Sequence, residues 1–214
     1  MRVRKKPWAE GELVSNSYVV KNGAENKGKW REIFGNGNKL YVELGCGKGK
    51  FIAETAKKFP EINFIGIEKQ KTVLATAVRH IDEEIDNLLF VNYDVLGMEE
   101  LFADGEIDRL YINFCDPWPR KKWAKRRLTH RGFLEKYKSF FGERGELFFK
   151  TDNRDLFEFS LEEFSENGWR LENVTFDLYS GEHSENIATE YEEKFSKEGV
   201  PICRLEAYYK NREA

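Results

Sequence analysis

"VELGCGKGKF", residues 42–51, is the stretch on which the fold turns: an apolar run passes through Glu43 and Leu44, glycines follow at Gly45, Gly47 and Gly49, and Lys50-Phe51 opens the next segment. Glycine lets backbone approach a ligand where a side chain would intervene, and a helix that begins just beyond it offers unpaired N–H groups. The spacing therefore reads as a ligand-binding turn between a strand and a helix. Two common forms of such a turn do not fit. A dinucleotide loop, G-x-G-x-x-G, needs a third glycine where Lys50 stands, and Lys50 would obstruct the close helix-to-strand packing of that form. A phosphate loop, G-x-x-x-x-G-K-[ST], needs glycine at Leu44 and a hydroxyl at Phe51.

Around this turn the chain alternates short apolar runs with helical periodicity. "KLYVEL" (39–44), "NFIGIE" (63–68), "LLFVN" (88–92), "RLYINF" (109–114) and "ELFFKT" (146–151) are apolar without alternation, as strands buried on both faces are. Leu74, Ala77, Val78, Ile81 and Ile85 recur at helical spacing, as do Phe133, Leu134, Tyr137, Phe140 and Phe141, and "TDNRDLFEFSLEEF" (151–164) reads as a further helix. "WRLENVTFDLY" (169–179) and "CRLEAYYK" (203–210) alternate apolar and polar residues, the pattern of a closing antiparallel pair. The expected fold is α/β, a doubly wound, mostly parallel sheet with an antiparallel C-terminal strand pair. Residues 39–214 read as one domain, preceded by a basic N-terminal extension, residues 1–38, with four basic residues in the first six.

The whole chain has 214 residues, 40% of them hydrophobic with 17 Phe, and a net charge of only -3, so a polyanion has to be met by local charge. Cys46, Cys115 and Cys203 have neither zinc-finger spacing nor an even count, so neither a metal site nor a disulfide framework is expected. No apolar run is long enough to cross a bilayer and no signal-peptide core follows the basic start, so a cytoplasmic protein without a membrane partner is expected.

The glycine pattern E-x-G-x-G-x-G resembles the first motif of class I S-adenosylmethionine-dependent methyltransferases. Glu68, in "IGIEKQ", ends the second strand about twenty residues beyond the loop, where a carboxylate accepts hydrogen bonds from both ribose hydroxyls of a nucleoside. By the same resemblance Asp94, in "VNYDV", lies near the adenine, and Glu43 is a candidate partner for the methionine part of the cofactor. Each carboxylate alone also reads as a solvated strand end. "DPWPRKKWAKRRLTHR" (116–131) then begins with Asp116 held by Pro117 and Pro119, beyond the fourth strand and so in the crevice where strand order reverses. An Asp-Pro turn of no other purpose is the alternative. Behind it stand Arg120, Lys121, Lys122, Lys125, Arg126, Arg127 and Arg131, with no acidic residue among them to pair with. A phosphate backbone is the natural counter-charge. Trp123, among these cations, either stacks on a base or packs.

With "ELGCGKG", "DPWP", "KRRLT", "KTDN" and "TEYE" together, the chain resembles the bacterial tRNA (guanine-N7)-methyltransferases of the TrmB type over nearly all of its 214 residues. The resemblance implies S-adenosyl-L-methionine as cofactor, held by Glu43, Gly45, Gly47, Glu68, Asp94 and Asp116, with Asp116 also in the catalytic position. It implies tRNA as substrate and partner, methylated at N7 of the guanosine at position 46 in the variable loop, with substrate contacts at Arg120, Asp152, Thr189, Glu190, Tyr191 and Glu192. RNA contacts are expected at Lys121, Lys122, Lys125, Arg126 and Arg127 from the unpaired charge of the run, and either a monomer or a homodimer is expected. One position departs: the family carries Lys directly after "DPWP", and here a guanidinium fork, Arg120, replaces the point charge. Either Asp152 or Glu192 is the carboxylate expected to read the Watson–Crick edge of the guanine. Two other classes remain in view. An adenine-N6 methyltransferase places its prolines as [DN]-P-P-[FYW], which "DPWP" interrupts, and a noncatalytic tRNA-binding module would have no use for the glycine loop and Glu68.

Overall fold

The computed structural model describes residues 6–181 and 186–210. The basic start at Arg2, Arg4 and Lys5 lies outside the described residues. The elements are α1 (Trp8–Ser15), β1 (Val19–Val20), α2 (Trp30–Phe34), β2 (Lys39–Leu44), α3 (Lys50–Lys58), β3 (Ile62–Ile67), α4 (Lys71–Arg79), β4 (Leu88–Val91), α5 (Met98–Leu101), β5 (Ile107–Asn113), α6 (Arg131–Phe140), β6 (Phe141–Thr151), α7 (Arg154–Glu166), β7 (Arg170–Thr175), α8 (Glu190–Lys197) and β8 (Cys203–Lys210).

The five apolar runs form most of the parallel part of one sheet of order β1-β4-β3-β2-β5-β6-β8-β7. β2 lies between β3 and β5, parallel to both, so strand order reverses between β2 and β5 and the C-terminal ends of β2 to β6 share one edge. The two alternating segments pair antiparallel, with β8 inserted between β6 and β7. Each central strand feeds two cores. Leu40, Val42 and Leu44 point into the layer with Phe133, Tyr137, Phe157 and Phe164 of α6 and α7, whereas Tyr41 joins Phe51 and Ile52 of α3 and Leu74 and Val78 of α4. Burial on both faces is why these strands carry no polar alternation.

Two of the boundaries that differ from the sequence pattern are helix ends. α4 stops at Arg79, and Ile85 reaches the same core from the following loop. Phe141 does not end α6 but opens β6, because it pairs with Ile107 of β5. Residues 8–38 pack on this body. α1 lies against α4 through Ala9 and Leu13, β1 extends the sheet beside β4, and fully buried Trp30 donates its indole N–H to the Leu101 carbonyl at 2.8 Å. Among the described residues no helix is long and apolar enough to cross a membrane.

Candidate active site

The loop after β2 holds Gly45 at φ 75°, Gly47 at 57° and Gly49 at 78°, a region that side-chain-bearing residues avoid. The three do different work. A Cβ added at Gly45 or Gly47 would meet nothing within 4 Å, so their bare backbone faces open space. A Cβ at Gly49 would stand 3.1 Å from Ala77 and 3.2 Å from Phe90, so Gly49 supplies the tight packing that Lys50 cannot. Glu68, just beyond β3, accepts from the Gly47 N–H at 3.2 Å and the Gln70 N–H at 2.7 Å, which ties the loop to the neighbouring strand. Burial nevertheless keeps the Glu68 carboxyl above its ordinary pKa.

A cleft of about 390 Å³ opens beside this loop, walled by Glu43, Gly45 to Phe51, Asn113, Phe114, Thr189 to Tyr191 and Lys194. Glu43 forms its floor. Only 2% exposed, its Oε1 accepts from Asn113 Nδ2 at 2.8 Å while its Oε2 has no partner. Burial raises the Glu43 carboxyl to about 7 despite the opposing influence of Asn113 and Lys150. Asp94, three residues past β4, is paired with Lys69 and accepts from the Leu96 N–H; these outweigh burial and hold its pKa below the usual value. Asp116, three residues past β5, is exposed. Glu68, Asp94 and Asp116 thus stand on the same strand edge as the cleft but not in its wall.

The opposite wall is a strap, residues 186–197, containing α8. Thr189 caps α8 in a reciprocal box with Glu192. Glu190 pairs with Lys48 at 2.7 Å and Glu193 pairs with Lys50, so the strap is ion-paired to the glycine loop. Tyr191 donates to Asp152 Oδ2 at 2.9 Å and its ring lies 5.0 Å from Phe114, with its pKa pushed up to about 12 by burial and by that carboxylate. Glu192 differs from its neighbours. It is fully buried and accepts from Lys150 Nζ at 2.6 Å, Asn186 Nδ2 at 2.7 Å and Tyr179 Oη at 2.9 Å. Lys150 spends its remaining donors on Asn186 Oδ1 and the Ile187 carbonyl, and burial lowers its pKa against the pull of Glu192 and Glu43. A carboxylate so enclosed has no edge to offer a base. Of the two carboxylates considered for guanine recognition, Asp152 is the accessible one.

The basic run forms a 3-10 stretch, Lys121–Arg126, not a regular helix. Lys121, Lys122, Lys125 and Arg126 are exposed, as is Arg120 before them. Their companions are aromatic: Arg120 lies 4.8 Å from the Trp123 ring and Arg126 4.9 Å from Trp118, while Trp118 and Trp123 meet edge to face.

Residues 37–205 match the family model described as "Putative methyltransferase". The chain is 49% identical over 215 aligned residues, 100% of its own length and 98% of the relative's, to the tRNA (guanine-N(7)-)-methyltransferase of Halalkalibacterium halodurans. It belongs to the tRNA (guanine-N7)-methyltransferase family. Its identity to the Bacillus subtilis member is 48%, over 98% of this chain and 100% of that one. The fold is also similar to that of "an Antibiotic Related Methyltransferase", with a TM-score of 0.65 at 19% identity over 90% of this chain and 96% of the other.

In this methyltransferase-family chain the cleft gathers Glu43, Gly45, Gly47, Thr189, Glu190 and Tyr191 in its lining, and Glu68 and Asp152 adjoin it through Gly47 and Tyr191. Asn113 and Lys150 escaped the sequence reading. A signal existed for both: each is a polar residue near the end of an apolar strand, and such a residue is buried only with a partner.

Proposed function

We propose that this chain transfers a methyl group from S-adenosyl-L-methionine to N7 of a tRNA guanosine, the one at variable-loop position 46 by family resemblance. The observation that carries the reading is the unpartnered Oε2 of Glu43 at the floor of a cleft bounded by the bare backbone of Gly45 and Gly47. A buried carboxylate oxygen without a donor calls for a cationic one, and the cofactor's ammonium answers that need. Glu68 would take the ribose hydroxyls, Asp94 would stand by the adenine, and the cofactor would supply an electrophilic methyl group on a sulfonium. Guanine N7 has an in-plane lone pair in the neutral base, so no residue has to remove a proton before attack.

The protein's tasks are alignment, exclusion of water and stabilisation of the positive charge that develops on the base. Asp116 serves the last from its proline-bounded turn. Asp152 accepts from guanine N1–H and the exocyclic amine, leaving N7 open, while Lys121, Lys122, Lys125 and Arg126 engage phosphates. Glu192, buried and fully hydrogen-bonded, holds the strap in this reading. The deciding experiment incubates unmodified tRNA and labelled S-adenosylmethionine with the protein and identifies the product nucleoside by mass spectrometry. Label in 7-methylguanosine supports the reading. Label in an exocyclic-amine product, or transfer at an ordinary rate to tRNA carrying 7-deazaguanosine at the target, refutes it.

A further inference from the structure

Arg127 closes the basic run in sequence but not in space. Lys125 and Arg126 are exposed, whereas Arg127 is half-buried against α7, its guanidinium carbon 4.3 Å from the Phe159 ring. Its Nε donates to the Pro117 carbonyl at 3.0 Å and its Nη2 to the Trp118 carbonyl at 3.1 Å. One edge of the fork therefore grips two successive carbonyls of the "DPWP" turn. The residues that follow are anchored too: Thr129 is fully buried, with its hydroxyl 2.7 Å from that of Ser160 on α7.

The turn needs such a grip. Pro117 and Pro119 carry no N–H, so the segment is short of local donors for its own carbonyls. Trp118 sits at φ 43°, in the left-handed region that a bulky residue occupies only when its surroundings hold it there. We propose that Arg127 is a positioning residue for the Asp116 turn and not a phosphate contact: its fork fixes the Pro117 and Trp118 carbonyls and thereby the place of the Asp116 carboxylate. The inference rests on the methyl-transfer reading above. It separates two roles inside one run of cations, since the exposed Lys125 and Arg126 remain for the RNA. Lysine cannot reproduce the grip, because a single ammonium presents no planar pair of donors at guanidinium spacing.

The test compares full-length Arg127→Lys, Arg127→Ala and the double variant Lys125→Ala/Arg126→Ala, measuring kcat, KM for tRNA, and tRNA affinity across a salt series. Arg127→Lys keeps the charge and loses the fork, so kcat should fall on the order of 10- to 100-fold, the scale of a displaced catalytic group. Its tRNA affinity and salt slope should stay at the parent values. Arg127→Ala should show the same split, and millimolar methylguanidinium should restore part of its turnover while restoring none to Asp116→Ala. The double variant should instead lose affinity and flatten the salt slope by up to about 2, one for each phosphate contact.

Thermal melts of every variant set the assay temperature below the transition, and if Arg127→Ala fails to fold, Arg127→Lys decides alone. Parent-like kcat in Arg127→Lys, or a salt slope reduced by about 1 in Arg127→Ala as for a lost phosphate contact, overturns the proposal. Absence of 7-methylguanosine with the unaltered protein would instead remove the reading on which it rests.

Discussion

Two glutamates are buried close to the same cleft, one in its floor and one inside the strap that walls it, and they have opposite chemistry. Glu43, on the floor, has one oxygen on Asn113 and one on nothing. Glu192, on the strap, receives hydrogen bonds from Lys150, Asn186 and Tyr179 while its helix is capped by Thr189. Burial alone does not mark a ligand contact. What separates them is unmet hydrogen-bonding capacity: Glu43 lacks a donor that a ligand can bring, and Glu192 lacks none. In the proposed reading the floor keeps one oxygen for a ligand, and the strap keeps none.

The largest break in that comparison should come at the strap. Glu192→Ala strands a buried ammonium, and denaturant titration should show a loss of about 3–5 kcal/mol, the scale of a buried ion pair deprived of one partner. The paired change Glu192→Leu/Lys150→Met should recover much of it. A loss no greater than that of a surface substitution would mean that the pair does not hold the strap.

At the floor the effect should fall on binding. Glu43→Gln keeps an acceptor for Asn113 and should leave stability within about 1 kcal/mol of the parent, while calorimetry should show S-adenosylmethionine affinity reduced by about 1.5–3 kcal/mol, the worth of a charge-assisted hydrogen bond. Glu68→Ala should weaken the same ligand by a similar amount and leave tRNA binding intact. Cofactor affinity unchanged in both would break the assignment of this cleft.

A smaller effect follows from burial of the Glu43 carboxyl, which raises it to about 7. Only the ionised form attracts an ammonium, so cofactor affinity should rise with pH through about 7, by at most about tenfold per pH unit below it. Stability should run the other way. The folded state retains a proton that the unfolded chain releases, so stability falls as pH climbs from the ordinary carboxylate range through about 7. Glu43→Gln should flatten both profiles. The smallest effect belongs to the exposed ion pairs that join strap to loop: Lys48→Ala/Lys50→Ala should cost about 1 kcal/mol or less in strap stability, diminishing further in high salt.

Much of this was legible in the sequence because it depends on neighbours in the chain. The strand at 39–44 matches "KLYVEL" to the residue, since an unbroken apolar run beside a glycine turn has few other fates. Gly45, Gly47, Glu68 and Asp94 fall just past the ends of β2, β3 and β4, where the apolar runs place them. The N-terminal segment was less legible. Part of its hold on the body is a fully buried indole, Trp30, met by the Leu101 carbonyl 71 residues away, and nothing in a Gly- and Asn-rich stretch reports that distant partner.

The same reason divides the functional residues. Residue type and spacing determined the doubly wound sheet, the glycine loop and the presence of a basic run behind a proline-bound Asp, because each arises from backbone geometry over a few residues. Tertiary structure alone decided that Glu192 faces inward, that Lys150 is its counter-ion from a strand 42 positions earlier, and that Arg127 turns away from its cationic neighbours to hold the Pro117 and Trp118 carbonyls. A side chain's charge is fixed by its identity, but whether that charge is spent inside the protein or left for a ligand depends on which distant groups the fold brings within hydrogen-bonding reach.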